Sequence, residues 1–141
     1  MAATTLFELV SPERLFFSQP VEMVVVPGTE GDFAAMPGHM PRIATVRPGV
    51  IVIFEDGKPK ERIFVAGGFA EMNEESCTVL AEEAELVSDL SLQEAESRLA
   101  GAAEAYGNIL TATESEKAAI EAELAVATAR VAAANGETGY H

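Results

Sequence analysis

The sequence predicts an α+β chain in two parts: a ten-strand β-sandwich, of flattened-barrel form, over residues 1–88, then an antiparallel α-helical hairpin over 89–141. Three observations carry this. All seven prolines fall at or before Pro59, and all seven phenylalanines at or before Phe69. Residues 88–141 hold no proline, no phenylalanine and fifteen alanines, a composition of high helix propensity. The second part contains two helix N-terminal signals, at Ser91 and Thr113.

In the first part, short β-rich runs alternate with turn residues. The predicted strands are Leu6–Val10, Arg14–Ser18, Val21–Val26, Asp32–Ala35, Ile43–Val46, Gly49–Glu55, Arg62–Ala66, Gly68–Met72, Cys77–Ala81 and a short Glu85–Ser88. Asp56-Gly57 suits a tight hairpin, because glycine takes positive φ without steric cost. Asn73–Glu75 can turn the next. Gly49–Phe54 is apolar in both phases, as expected of a strand in the middle of the fold. Gly67-Gly68 reads as a bulge or sharp bend between two strands.

In the second part, Ser91-Leu92-Gln93-Glu94 and Thr113-Glu114-Ser115-Glu116 are capping-box patterns. They predict helices over about residues 90–110 and 114–134, with a frayed tail from Asn135 to His141. Leu92, Leu99, Tyr106 and Ile109–Leu110 share a face of the first helix; Ile120, Leu124, Ala127 and Val131 share one of the second. A seam made mostly of alanine buries little area, so the hairpin is expected to be strongly helical but weakly docked.

Composition narrows the function. The 141 residues are 48% apolar with net charge −14 and a pI near 4.4. A core is affordable, so the acidity lies on the surface, where it opposes nucleic acid and anionic lipid and favours protein partners. The start lacks a basic n-region and an apolar h-region, and no run is long enough to span a bilayer, so membrane association is expected to be indirect. A single cysteine, Cys77, is expected to be a buried small hydrophobe. With two histidines, His39 and His141, and one cysteine, no metal site is expected. Gly28-Thr29-Glu30-Gly31 lacks the Gly-Lys-Ser/Thr of a phosphate loop and sits beside Asp32, and no catalytic triad spacing occurs, so no cofactor and no catalytic residue is assigned.

The run from Pro27 to Pro41, a glycine-rich turn, a short strand and Pro37-Gly38-His39-Met40-Pro41, resembles the signature of the ATP synthase epsilon family. Ser11-Pro12-Glu13, Phe16-Phe17-Ser18, Arg47-Pro48-Gly49-Val50, Val65-Ala66-Gly67-Gly68-Phe69 and Thr78-Val79-Leu80-Ala81-Glu82 stand in the matching order. The resemblance implies a non-catalytic rotor subunit of a bacterial F-type ATP synthase, peripheral on the cytoplasmic face of the inner membrane. Its sandwich would bind the gamma subunit and the polar loops of the c-ring, through Glu30, Asp32, Phe33, His39 and Met40. Its hairpin would reach the catalytic head and restrain ATP hydrolysis in some members. The alternative is an ATP-sensing subunit whose hairpin moves on binding nucleotide. The departure lies in the hairpin, where only Arg98, Lys117 and Arg130 are basic against nine acids after residue 88, and Glu94 stands where ATP-binding members are expected to carry arginine. Weak inhibition and no ATP binding are the expectation.

Overall fold

A computed structural model describes residues 3–136. Eight strands are present among them: β1 Thr5–Val10, β2 Leu15–Val21, β3 Met23–Gly28, β4 Gly31–Ala35, β5 Arg42–Glu55, β6 Lys58–Met72, β7 Ser76–Ala81 and β8 Ala84–Leu86. Two helices follow, α1 Leu92–Gly107 and α2 Glu114–Ala134, each preceded by a 3-10 turn, Val87–Asp89 and Ile109–Thr111.

The predicted ten strands become eight because two predicted breaks are bends. The Ile43–Val46 and Gly49–Glu55 runs are one strand, β5, and the Arg62–Ala66 and Gly68–Met72 runs are one strand, β6. The two pair antiparallel from Arg42 opposite Met72 to Glu55 opposite Lys58. Pro48 lacks an amide hydrogen, and Gly67 and Gly68 take φ of 103° and 150°, so both strands turn the corner without the chain reversing. Beyond the corner β6 changes partner. Ile63–Val65 pair with β8, and Gly68–Met72 pair with β7. One strand pair thus supplies both layers of the sandwich. The strand order β2-β1-β7-β6-β5-β3-β4 does not return on itself, so the expected flattened barrel is an open sheet folded over.

Alternation places the core. In β1, Thr5, Phe7 and Leu9 point in while Leu6, Glu8 and Val10 point out. Phe7, Leu9, Val24, Val26, Ile51, Ile53, Ile63, Val65, Met72, Cys77 and Val79 fill the space between layers. Cys77 is buried as expected, and burial pushes its thiol up to about 12. The turns follow their residues. Asp56 and Gly57 have φ of 54° and 74°, and Asn73 Oδ1 accepts from the amides of Glu75 at 2.8 Å and Ser76 at 2.9 Å.

The hairpin explains why β5 and β6 are apolar in both phases. Phe64 and Ala66 turn away from the inter-layer core and meet Val126 and Ala133 of α2, with Val50, Val87, Leu90 and Ala129 around them. So α2 lies on β5 and β6, and α1 packs on α2. Thr113 forms the full capping box as read, and Ser91 the serine half of one. Ser91 Oγ accepts from the Glu94 amide at 3.2 Å, and at Thr113 both halves of the box close. The tail expectation needs correction at its start. The Asn135 amide donates to the Val131 carbonyl and the Gly136 amide to that of Ala133, with Gly136 at φ 81°, a regular helix end. The rest of that expectation, 137–141, lies outside the described residues.

The α1 face also departs from the reading. Its buried residues are Ala95 and Ala102, while Leu92, Tyr106 and Leu110 stand exposed and Leu99 is half-buried. On α2, Ala127 is buried as expected, but the other buried positions are Val126 and Ala133; Ile120, Leu124 and Val131 are half-buried. Small side chains form the seam and the large ones flank it. The alanine seam is as expected; a shared helical face gives a direction but not which of its members stands at the closest approach.

Candidate docking surface

β3 and β4 form a hairpin closed at Gly28 opposite Gly31, leaving Thr29 and Glu30 at its tip. The Thr29 amide donates to the Thr45 carbonyl at 2.9 Å, which ties the tip to β5. Asp32 lies on the rim, where its Oδ1 accepts from Arg47 Nη2 at 2.7 Å. Glu30 is exposed and, with Thr29, faces Arg42–Thr45 across a cleft of about 190 Å³.

The next loop joins β4 to β5. The Gly38 amide donates to the Glu74 carbonyl at 2.9 Å and the His39 amide to the Met36 carbonyl at 3.2 Å. The loop is therefore pinned to the β6–β7 turn and to itself. Met40 and Met36 project from it, 82% and 49% exposed.

Of the five residues singled out from sequence, Glu30, Asp32 and Met40 form surface. Phe33 and His39 shape it from beneath. Phe33 is buried among Val26, Val46 and Ala35, with the Arg42 guanidinium 4.9 Å from its ring centre. The His39 ring folds back so that Nδ1 meets the Met36 carbonyl, and Nε2 is shut from solvent without a hydrogen-bond partner. Phe33 follows the alternation of β4, in which Phe33 and Ala35 point in and Asp32 and Ala34 out, whereas the loop pattern Pro37-Gly38-His39-Met40-Pro41 does not reveal which way the His39 ring turns.

A second surface was missed. Thr45, Phe69, Leu80, Val10 and Leu15 are successive cross-strand neighbours on β5, β6, β7, β1 and β2. Phe69, Leu80 and Leu15 are 59%, 54% and 55% exposed, and Ile43, one pleat along β5 from Thr45, is 77% exposed. Between Val10, Pro12, Phe69 and Leu80 lies a shallow depression of about 310 Å³. An apolar row across four strands, flanked by Ile43 on a fifth, is unusual on an outer face that meets only water. The signal was present in the sequence: Phe69 and Leu80 fall out of phase with the buried Ala70, Met72, Val79 and Ala81.

The opposite outer face is covered by the hairpin, fastened by two arginines. Arg98 of α1 donates to both oxygens of Glu83 at 3.0 Å and to both oxygens of Glu123 at 2.7 and 2.8 Å. Arg130 of α2 pairs with Glu85, lies 3.6 Å from Glu83, and stands 5.2 Å from the Phe64 ring centre. Hydrogen bonds from Arg98 hold the Glu83 and Glu123 carboxyls below the usual glutamate range. Among the described residues no group of histidine, cysteine and carboxylate side chains could hold a metal ion, and no helix is long and apolar enough to cross a membrane.

The folded-over sheet, with helices on one outer face and an apolar row exposed on the other, is a β-sandwich with an appended helical hairpin. The chain belongs to the ATP synthase epsilon chain family, a non-catalytic stalk subunit of the ATP synthase complex. The family model for the delta/epsilon chain β-sandwich domain matches residues 4–87. The ATP synthase epsilon chain of Rhodospirillum rubrum is 55% identical over 136 residues, covering 96% of this chain and all of that one. That of Granulibacter bethesdensis is 43% identical over 133 residues, covering 92% and 98%. Among solved structures, a chain of the Euglena gracilis mitochondrial ATP synthase superposes with TM-score 0.76 at 20% identity, covering 93% of this chain and 81% of that chain. One from the central stalk and c-ring of the Tetrahymena thermophila mitochondrial ATP synthase gives 0.66 at 12%, covering 92% and 96%. These two show the shared fold.

Proposed function

We propose that this chain is a rotor element of the central stalk that couples proton flow through the membrane c-ring to ATP synthesis, by binding the gamma subunit and the c-ring loops. Residues 1–88 act as the docking domain and 89–141 as the appended hairpin. The complex holds the chain peripherally on the cytoplasmic face of the bacterial inner membrane. The observation that carries this reading is the bare apolar row through Phe69 and Leu80 on a stiff two-layer sheet. A rigid apolar surface loses little freedom on docking, which suits a subunit that must transmit force. The row suits gamma, and the pinned loop bearing Met40 beside the acidic tip suits the ring loops. Phe69→Glu should abolish co-purification with gamma while leaving the unfolding midpoint nearly unchanged, because the side chain is exposed in the free chain. Normal co-purification of that variant would remove the row from the interface.

The hairpin's brake on hydrolysis is weak in this reading. Its three cations are already committed: Arg98 to Glu83 and Glu123, Arg130 to Glu85, and Lys117 to Glu114 at 3.4 Å. A nucleotide or an acidic stretch of the catalytic head would have to displace carboxylates from each of them, which also disfavours ATP sensing. Deleting residues 89–141 should leave ATP hydrolysis by the isolated head within about twofold of that of the same head carrying the whole chain, whereas a several-fold rise would establish a working brake.

A further inference from the structure

One side chain links the acidic tip to the corner of the fold. Arg47 sits in β5 at the bend, next to Pro48. Its neighbour Val46 is buried and lies opposite Gly68 of β6 and Gly28 of β3, so the backbone beneath Arg47 is held from both sides. From this footing the guanidinium forks. Nη1 donates to the Gly28 carbonyl at 2.6 Å and Nη2 to Asp32 Oδ1 at 2.7 Å. The two acceptors flank the Thr29–Glu30 tip, one on each strand. A planar fork with two fixed donors can bridge them; a lysine ammonium is a compact point charge on a flexible stem.

The ion pair itself adds little stability. The Arg47 and Asp32 side chains are 44% and 37% exposed, and an exposed pair contributes about 1 kcal/mol at most. Nor is Arg47 needed to close the hairpin, since the β3–β4 ladder and the Thr29–Thr45 bond already do so. The fork instead adds a constraint where the ladder ends, at a tip flanked by two glycines. It fixes the direction of the Asp32 carboxylate and ties it to the Gly28 carbonyl on the other strand.

We propose that Arg47 is a positioning residue for docking: it presets the Gly28–Asp32 turn so that Glu30 and Asp32 meet a partner loop in one geometry. The partner is a polypeptide loop that donates hydrogen bonds through backbone amides or a basic side chain. This rests on the reading that the turn faces the c-ring. Without the fork, the tip must be ordered as it binds, and ordering a flexible side chain and its turn weakens association by about twofold to tenfold.

The test uses the assembled catalytic head carrying each variant, rebinding to membranes stripped of it but retaining the ring. Arg47→Ala should weaken rebinding by about twofold to tenfold and speed amide exchange at residues 29–31, with gamma affinity unchanged and the unfolding midpoint moved by a few degrees at most. Arg47→Lys should recover less than half of the loss, since one ammonium cannot span both acceptors. Met40→Asp, on the neighbouring loop, reports on the ring-facing reading itself. If Met40→Asp and Arg47→Ala both leave rebinding unchanged, that reading fails. If Met40→Asp weakens rebinding and Arg47→Ala does not, the positioning role alone fails. Equal loss of gamma and ring affinity in Arg47→Ala would mean a general structural role and would overturn the proposal.

Discussion

Gly68→Ala is expected to unfold the sandwich or bring it to the edge of unfolding. A Cβ at this position would lie 1.9 Å from the Leu80 carbonyl oxygen and 2.9 Å from its carbonyl carbon. Those are backbone atoms of the paired strand β7, which no rotamer change can move aside. The φ of 150° adds a second penalty for any L side chain. To relieve the clash, β6 and β7 must separate at the corner where β6 changes partner, and the pairing from Gly68 to Met72 loosens with it. The cost is about 3–5 kcal/mol, a large share of the 5–15 kcal/mol that holds a typical domain together. Thermal unfolding should show the midpoint falling by about 15 °C or more. Gly101→Ala is the control. Gly101 lies inside α1 with open space at its Cβ, so the change should stabilise that helix by about 0.5–1 kcal/mol. A Gly68→Ala variant as stable as the parent would mean that the corner is not built as described.

Arg98→Ala is expected to loosen the hairpin without unfolding the sandwich. The apolar contact between α2 and the sheet rests on Phe64, Ala66, Val126 and Ala133, two of which are alanines. Arg98 adds what that contact lacks, because one guanidinium ties α1 to α2 through Glu123 and to the β7–β8 turn through Glu83. Removing it also leaves the two carboxylates repelling each other across the vacated space. These groups are partly exposed, so the loss is discounted for screening to about 1–2 kcal/mol, or about fivefold to thirtyfold in the undocked population. Amide exchange in α1 and α2 should rise by that factor while exchange in β5 and β6 at the core stays slow. The pH dependence has a definite sign. Hydrogen bonds from Arg98 lower the folded-state pKa of both glutamates below 4.5, so their contribution is complete above that value and is lost as pH falls below it. Hairpin docking should therefore be flat from neutral pH to about pH 5 and weaken in more acidic solution. A transition near pH 6–7 would contradict the assignment of these carboxylates.

Much of the sandwich was legible because strand alternation and turn chemistry act locally. The burial of Cys77, the Asp56-Gly57 turn and both helix starts follow from residues within a few positions of one another. The miscounted strands mark where local reading ends. Pro48 and Gly67-Gly68 break a propensity run, yet the chain bends there without reversing, because Arg42–Glu55 and Lys58–Met72 stay paired throughout. Whether a break is a bend or a turn depends on the partner strand. The docking surface divides the same way. Glu30, Asp32 and Met40 stand on the surface of the motif that singled them out, whereas Phe33 and His39 turn inward. The apolar row needed cross-strand register, since Phe69 and Leu80 are eleven positions apart and become neighbours only through the β6–β7 pairing. Arg98 was counted as one of few cations, but its four carboxylate contacts depend on how α1 comes to lie beside the β7–β8 turn.

The central claim is that docking uses the bare face of the sandwich while the hairpin covers the other. Amide exchange of this chain, free and within the assembled stalk, tests it most directly. Slowed exchange is predicted for β7, for β6 around Phe69, for the 28–32 turn and for the 36–41 loop, with α1 around Tyr106 as fast in the complex as in the free chain. Slowed exchange confined to the helices, with β6 and β7 indifferent to assembly, would contradict it.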